Sequence, residues 1–165
     1  MKQWLQRFWT QPNRQYRNFQ IVFTALTLNF AIPSLCYVVA PEASIGQFIQ
    51  LNQLAGGAEY TFPESASRLW RYLGTANVAT LALMCALLQM NLRKNLAVLL
   101  PLTFMKGMAA TFFLCAFLAT PQYRVFLVAG IFDLFTTAAF QIFAKRAFKQ
   151  IQHELDESLV PQPIR

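Results

Sequence analysis

Residues 18–41 read NFQIVFTALTLNFAIPSLCYVVAP, a stretch without one charged side chain. A helix rises about 1.5 Å per residue, so roughly 20 residues carry it across a ~30 Å hydrocarbon core. This stretch exceeds that length, and the same pattern recurs three times. A second uncharged run extends from Tyr72 to Leu92. A third lies between Lys94 and Arg124, interrupted only by Lys106, and a fourth between Arg124 and Lys145, interrupted only by Asp133. Inside lipid every backbone amide must be satisfied within the chain, which favours helices for such runs. The chain is therefore expected to be all-α: an integral membrane four-helix bundle forming a single transmembrane domain over residues 1–165. Its spans fall at about 19–40, 70–91, 95–119 and 124–144, with an external loop at 41–69 and a cytoplasmic tail at 145–165.

Composition agrees. Hydrophobic residues make up 56% of the chain and charged residues only 13%, about half the share a soluble domain uses to coat its surface. The net charge of +7 does not signal nucleic acid. The basic residues border the apolar runs instead of forming a stripe of their own, so the expected partner is a bilayer with anionic headgroups.

The Lys and Arg positions also set orientation. Lys2, Arg7, Arg14 and Arg17 precede the first span, Arg93 and Lys94 sit in the second loop, and Lys145, Arg146, Lys149 and Arg165 follow the fourth span. The opposite side carries only Arg68, Arg71 and Arg124. The positive-inside rule then gives an N-in/C-in topology, with both termini in the cytoplasm of a prokaryotic-type plasma (inner) membrane. The first span is too long for a cleaved signal peptide, and Pro41 directly behind Ala40 blocks the cleavage site that Ala40 offers.

Three segments outside the spans carry patterns of their own. Met1, Trp4, Leu5, Phe8 and Trp9 recur at helical spacing among Lys2, Gln3, Gln6 and Arg7, which predicts an amphipathic N-terminal helix in the headgroup layer. The external loop between the first two spans is partly helical from Ala43 to Leu54, with Ile45, Phe48, Ile49 and Leu51 near one face, and breaks at Ala55, Gly56, Gly57 and Ala58. Trp70, Tyr72 and Tyr123 form the outer aromatic belt, as Trp4 and Trp9 do at the inner interface. Beyond the fourth span, Ala144, Ala147, Phe148, Ile151, Leu155 and Leu159 continue a helical stripe into a cytoplasmic extension whose apolar face wants a partner.

Chemistry-bearing motifs are scarce. His153 is the sole histidine, so paired-histidine haem ligation and histidine-based metal sites are excluded. No catalytic residue, metal site or cofactor is expected, since no nucleotide-binding or hydrolase pattern occurs. Cys36, Cys85 and Cys115 are too scattered for a C-x-x-C redox pair; Cys36 and Cys115 share a depth at which a disulfide is conceivable, and these two are expected to remain free thiols.

The informative feature lies at mid-membrane. Counted from the cytoplasmic ends, Lys106 and Asp133 both stand roughly 16–18 Å deep, on adjacent antiparallel spans. Small residues surround each: Thr103, Ala109 and Ala110 on one span, and Ala129, Gly130, Thr136 and Thr137 on the other. Small faces permit close helix approach, so the two charges are expected to point inward and pair. Asn29 and Asn77 add an amide from each remaining span to a polar core, and Pro33 frees the carbonyl of Asn29 four residues earlier. The pair has two readings: it fixes helix register, or it serves as a proton or substrate site.

The order of a first span, a long external loop and three tightly connected spans resembles the quinone-associated DoxX-type bundles in architecture. That resemblance implies quinone or lipid handling and carries no residue across. Three function classes stand beside one another: a non-catalytic accessory or scaffold subunit that binds other membrane subunits or itself; a small oligomeric transporter using the Lys106–Asp133 site; and the quinone- or lipid-associated bundle.

Overall fold

The structure, a computed structural model, describes the backbone of residues 13–59 and 64–159, with side chains for 13–59 and 71–153. The expected N-terminal helix with Trp4 and Trp9, and the side chain of Trp70, lie outside those described residues. Every regular element among the described residues is helical: α1 (Arg14–Val39), α2 (Pro41–Leu54), α3 (Glu64–Met90), the single turn α4 (Leu92–Asn95), a 3₁₀ turn (Leu96–Val98), α5 (Leu99–Ala119) and α6 (Val125–Leu159). Four helical stretches are long and apolar enough to cross a membrane: Arg14–Val39, Arg71–Met90, Leu92–Ala119 and Val125–His153.

Local chemistry explains where these elements begin and end. Asn13 caps α1, its side chain accepting from the amides of Gln15 and Tyr16 at 2.9 and 3.2 Å. At the far end Pro41 has no N–H to extend α1 and forces Ala40 out of the helical region, to φ −136°, while serving α2 as its first residue. Asn91 makes the turn after α3 by accepting from the Lys94 amide at 2.9 Å, and Asn95 donates back to the Leu87 carbonyl at 2.6 Å. That closed turn is what lets α3 and α5 follow each other so tightly.

The helices run up and down in sequence. α1 packs along α3, α5 packs along α6, and α1 against α6 joins the two pairs, whereas α3 and α5 meet mainly through α4 and the 3₁₀ turn. The seam between α1 and α6 is aromatic. Phe19 and Phe23 lie 4.4 Å apart between ring centroids, Phe23 and Phe140 5.6 Å, and Phe30 and Phe140 6.3 Å. Ala144 and Ala147, fully buried, let α1 approach α6 closely beside this ladder. Of the stripe expected to face a partner, Ala144 and Ala147 are buried in the chain's own core and Phe148 and Ile151 pack against it half-buried; Leu155 and Leu159 lie outside the described side chains.

This alternation gathers Arg14, Arg17, Arg93, Lys94, Lys145, Arg146 and Lys149 at one end of the bundle and leaves Arg71 and Arg124 at the other. Between them lies an apolar outer surface in which Leu28, Ile32, Leu35, Leu83, Leu100, Phe104, Phe112 and Phe135 are all exposed. A water-soluble helical bundle would turn these side chains inward. Facing outward, they match a hydrocarbon solvent.

The segment between the first two spans is held by a polar clasp. Asn52 of α2 is fully buried. Its amide nitrogen donates to the Ala58 carbonyl at 2.5 Å, and its oxygen accepts from the Val125 amide at 3.1 Å, capping the start of α6. Arg124 donates to the Ala55 carbonyl at 3.0 Å, and the Ala58 amide donates to the Gln122 carbonyl at 2.8 Å. Gly56 takes φ +74°, and a Cβ on Gly57 would overlap the Asn52 amide, so both glycines are required by the turn. The face that α2 buries includes Ser44 and Asn52, while Phe48 and Leu51 are partly exposed.

Candidate functional site: an intramembrane charge pair

The chemistry-bearing residues divide between two helix interfaces. At the interface of α5 and α6, Lys106 donates from Nζ to Asp133 Oδ1 in a charge-assisted contact. Lys106 is 8% exposed and Asp133 4%. Proximity of the two helices has a specific cause at Gly130, where a Cβ would stand 2.9 Å from Leu114 and 3.4 Å from the Ala110 carbonyl oxygen. From the third side, the Phe30 ring of α1 covers the ammonium, with Nζ 5.3 Å from the ring centroid. An ammonium over an aromatic face gains attraction that grows as water is removed. The pair is thus neutralised by its partner and roofed by a ring.

Its surroundings differ along the membrane normal. About one turn from Lys106 toward the basic end, the Thr103 hydroxyl accepts from Gln141 at 2.8 Å and donates to the Leu99 carbonyl at 2.6 Å. Toward the opposite end come Ala110, Gly130 and the stacked rings of Phe113 and Phe126, 6.3 Å apart. Polar groups therefore flank the charges on one side and an apolar plug on the other.

Between α1 and α3 the structure shows a second polar cluster, centred on Gln89. Its amide nitrogen donates to the Phe23 carbonyl at 3.0 Å, the Thr27 hydroxyl at 2.6 Å and the Cys85 carbonyl at 3.3 Å, while its oxygen accepts from Thr24 at 2.7 Å. Gln20 donates to the Gln89 carbonyl at 3.1 Å. Near the other end of the same interface, Ser34 donates to the Thr75 carbonyl at 3.3 Å. Amides and hydroxyls of this kind hold helices together in lipid, where the hydrophobic effect between them is absent.

The expected polar core of Asn29 and Asn77 is not there. Both side chains are exposed on the outside of the bundle, and neither hydrogen-bonds to another described residue. The interior positions that they were expected to fill are held by Gln20 and Gln89. The reason is rotational: the neighbours of α1 are reached through Gln20, Thr24 and Thr27 on one flank and Phe19, Phe23 and Phe30 on another, which turns Asn29 away from both. Tyr72 is exposed with Arg71 5.1 Å from its ring centroid, and Tyr123 stands edge-on to Phe126 at 6.3 Å, each near the less basic end. Cys36 and Cys115 are exposed free thiols and Cys85 a buried one. Among the described residues no three histidine, cysteine or acidic side chains cluster as metal ligands would.

The chain matches no protein-family model, no curated protein and no solved structure, so the meaning of these groups rests on their own geometry.

Proposed function

We propose that the protein is a non-catalytic integral membrane component of a larger assembly, in which the Lys106–Asp133 pair locks α5 against α6. One observation supports this above the others: the division between satisfied and unsatisfied polar groups. The charges inside the bundle neutralise each other beneath Phe30, whereas the amides of Asn29 and Asn77, within the apolar spans, are exposed and have no partner among the described residues. An unsatisfied amide in lipid is costly and is relieved when a neighbouring helix supplies its partner. The two exposed amides mark the outside of the bundle as the place where another subunit docks; among the described residues the buried side-chain atoms without a partner are the Gln20 oxygen and Arg71 Nε. A transport site would call for a series of open polar groups along an internal path, whereas the interior of the α1–α3 interface leaves one, the Gln20 side-chain oxygen.

In this reading the basic end of the bundle faces the cytoplasm, against the anionic inner leaflet. Reporter fusions or cysteine labelling then place Asn13, Asn91 and Gln150 inside and Ala58 outside. Finding Ala58 in the cytoplasm would reverse the whole assignment.

The function itself is tested by replacing both charges together, Lys106→Met with Asp133→Leu. An apolar pair of similar volume is expected to fold and to co-purify with the same membrane partners in mild detergent as the unaltered chain does. Asn77→Leu, in contrast, is expected to lower partner recovery without lowering monomer stability. A double variant that folds and assembles yet loses a solute or proton flux measured in proteoliposomes would overturn the reading in favour of transport.

A further inference from the structure

The outward face of α1 has a period that its inward faces do not explain. Ala25, Asn29, Ile32, Cys36 and Val39 follow one another at intervals of four, three, four and three residues, the spacing of a heptad seam. All five are exposed: Ile32 by 56%, Val39 by 81%, and Ala25, Asn29 and Cys36 with them. The two long contacts that α1 makes, with α3 and α6, use other sides of the helix. Asn29 sits within this seam with its amide unpaired, and Pro33, lacking an N–H, leaves the Asn29 carbonyl without its intrahelical donor.

We infer that this seam is a dimer interface with a second copy of the chain, packed α1 against α1 about a twofold axis along the membrane normal. Three considerations select a second copy over another occupant. All copies of a membrane protein share one orientation, so such an axis sets equivalent residues of two chains at the same depth. A carboxamide carries both donors and an acceptor, so Asn29 is complementary to itself and two of them satisfy each other across that axis. An asparagine at one core position of a parallel seam also fixes register, since any slip strands both amides in an apolar environment. Ala25 and Cys36, one and two turns away, are small enough for the backbones to approach. The inference rests on the membrane-assembly reading above and supplies one specific contact within it.

The same axis places Cys36 opposite Cys36 of the second copy, and this gives a direct test. Copper-phenanthroline oxidation of the full-length protein in native membranes, followed by non-reducing electrophoresis, is expected to yield a disulfide-linked dimer. The dimer persists in Cys115→Ser and disappears in Cys36→Ser. Asn29→Leu is expected to weaken self-association about tenfold, the change that about 1.4 kcal/mol sets, read as donor–acceptor energy transfer between labelled copies diluted in lipid. Asn29→Gln, which keeps the amide, retains most of the association. Because the oxidation is done on the unaltered chain, misfolding of the Asn29 variants leaves the proposal exposed to refutation. Cross-linking through Cys115 alone, a Cys36 adduct with a different polypeptide, or a monomer at every protein-to-lipid ratio overturns the second-copy assignment. Those outcomes leave the assembly reading standing, since partner recovery and flux test it separately.

Discussion

Lys106→Ala or Asp133→Ala alone is expected to destabilise the bundle by about 3–5 kcal/mol, measured by reversible unfolding in mixed detergent. Either change removes one charge and leaves the other in a site built to exclude water. Lys106 is enclosed by Asp133, the Phe30 ring and the packed faces of α5 and α6, so the stranded group is left about nine-tenths buried. It must either neutralise or force the helices apart. Replacing both charges restores much of the lost stability, because two apolar side chains of similar size carry no desolvation penalty. The distance between the single and double variants is the informative quantity. Single variants that unfold like the unaltered chain would show that the pair contributes nothing to packing α5 on α6.

Asn52→Ala is expected to cost about 2–3 kcal/mol and to loosen the segment around α2 before the bundle itself. One amide serves two elements: it caps α6 through the Val125 N–H and closes the turn after α2 through the Ala58 carbonyl. Truncation orphans a buried donor and an acceptor together, and each such group carries a penalty of about 1–3 kcal/mol, reduced where water reaches it. Amide hydrogen exchange reports the difference between local and global opening. Faster exchange at Gly57, Ala58 and Val125 with unchanged protection in α5 is the expected pattern. Equal protection at those amides in both proteins would remove Asn52 from its role. Gly57→Ala is expected to mimic the loss, because its new Cβ would occupy the space of the Asn52 side chain.

These two residues differ in how plainly the sequence announces them. Lys106 and Asp133 stand out because a charge inside an apolar run is costly, so the run itself flags them and equal depth suggests the partner. The four long helices are visible for the same reason. Gln20, Gln89 and Thr24 give no such signal: an uncharged amide or hydroxyl is common in a span, and only the packing of α1 on α3 shows that they meet. Asn29 and Asn77 were expected inside because polarity alone was taken to point inward. In a span that is apolar all round, composition does not say which way one amide turns; the faces that contact α3 and α6 decide it. Asn52 was hidden differently. It lies in the stretch between the first two spans, where Phe48 and Leu51 are the conspicuous apolar residues, whereas the buried face is set by a polar clasp to a turn about 70 residues later in the chain.

The Lys106–Asp133 contact also constrains how the protein is made. Lys106 precedes its partner by 27 residues, so during vectorial synthesis the cation leaves the ribosome with no carboxylate yet in existence. At about 5–20 residues per second, the interval lasts on the order of one to five seconds. Throughout it, α5 is a helix whose charge opposes its release into lipid, and the five residues from Thr120 to Arg124 must pass before α6 begins. Entry of the third and fourth spans as one hairpin is thereby favoured over release of α5 alone, by the roughly 2.5–3.5 kcal/mol that an unpaired cation costs at mid-bilayer, and α1 and α3 would then meet an already neutral surface.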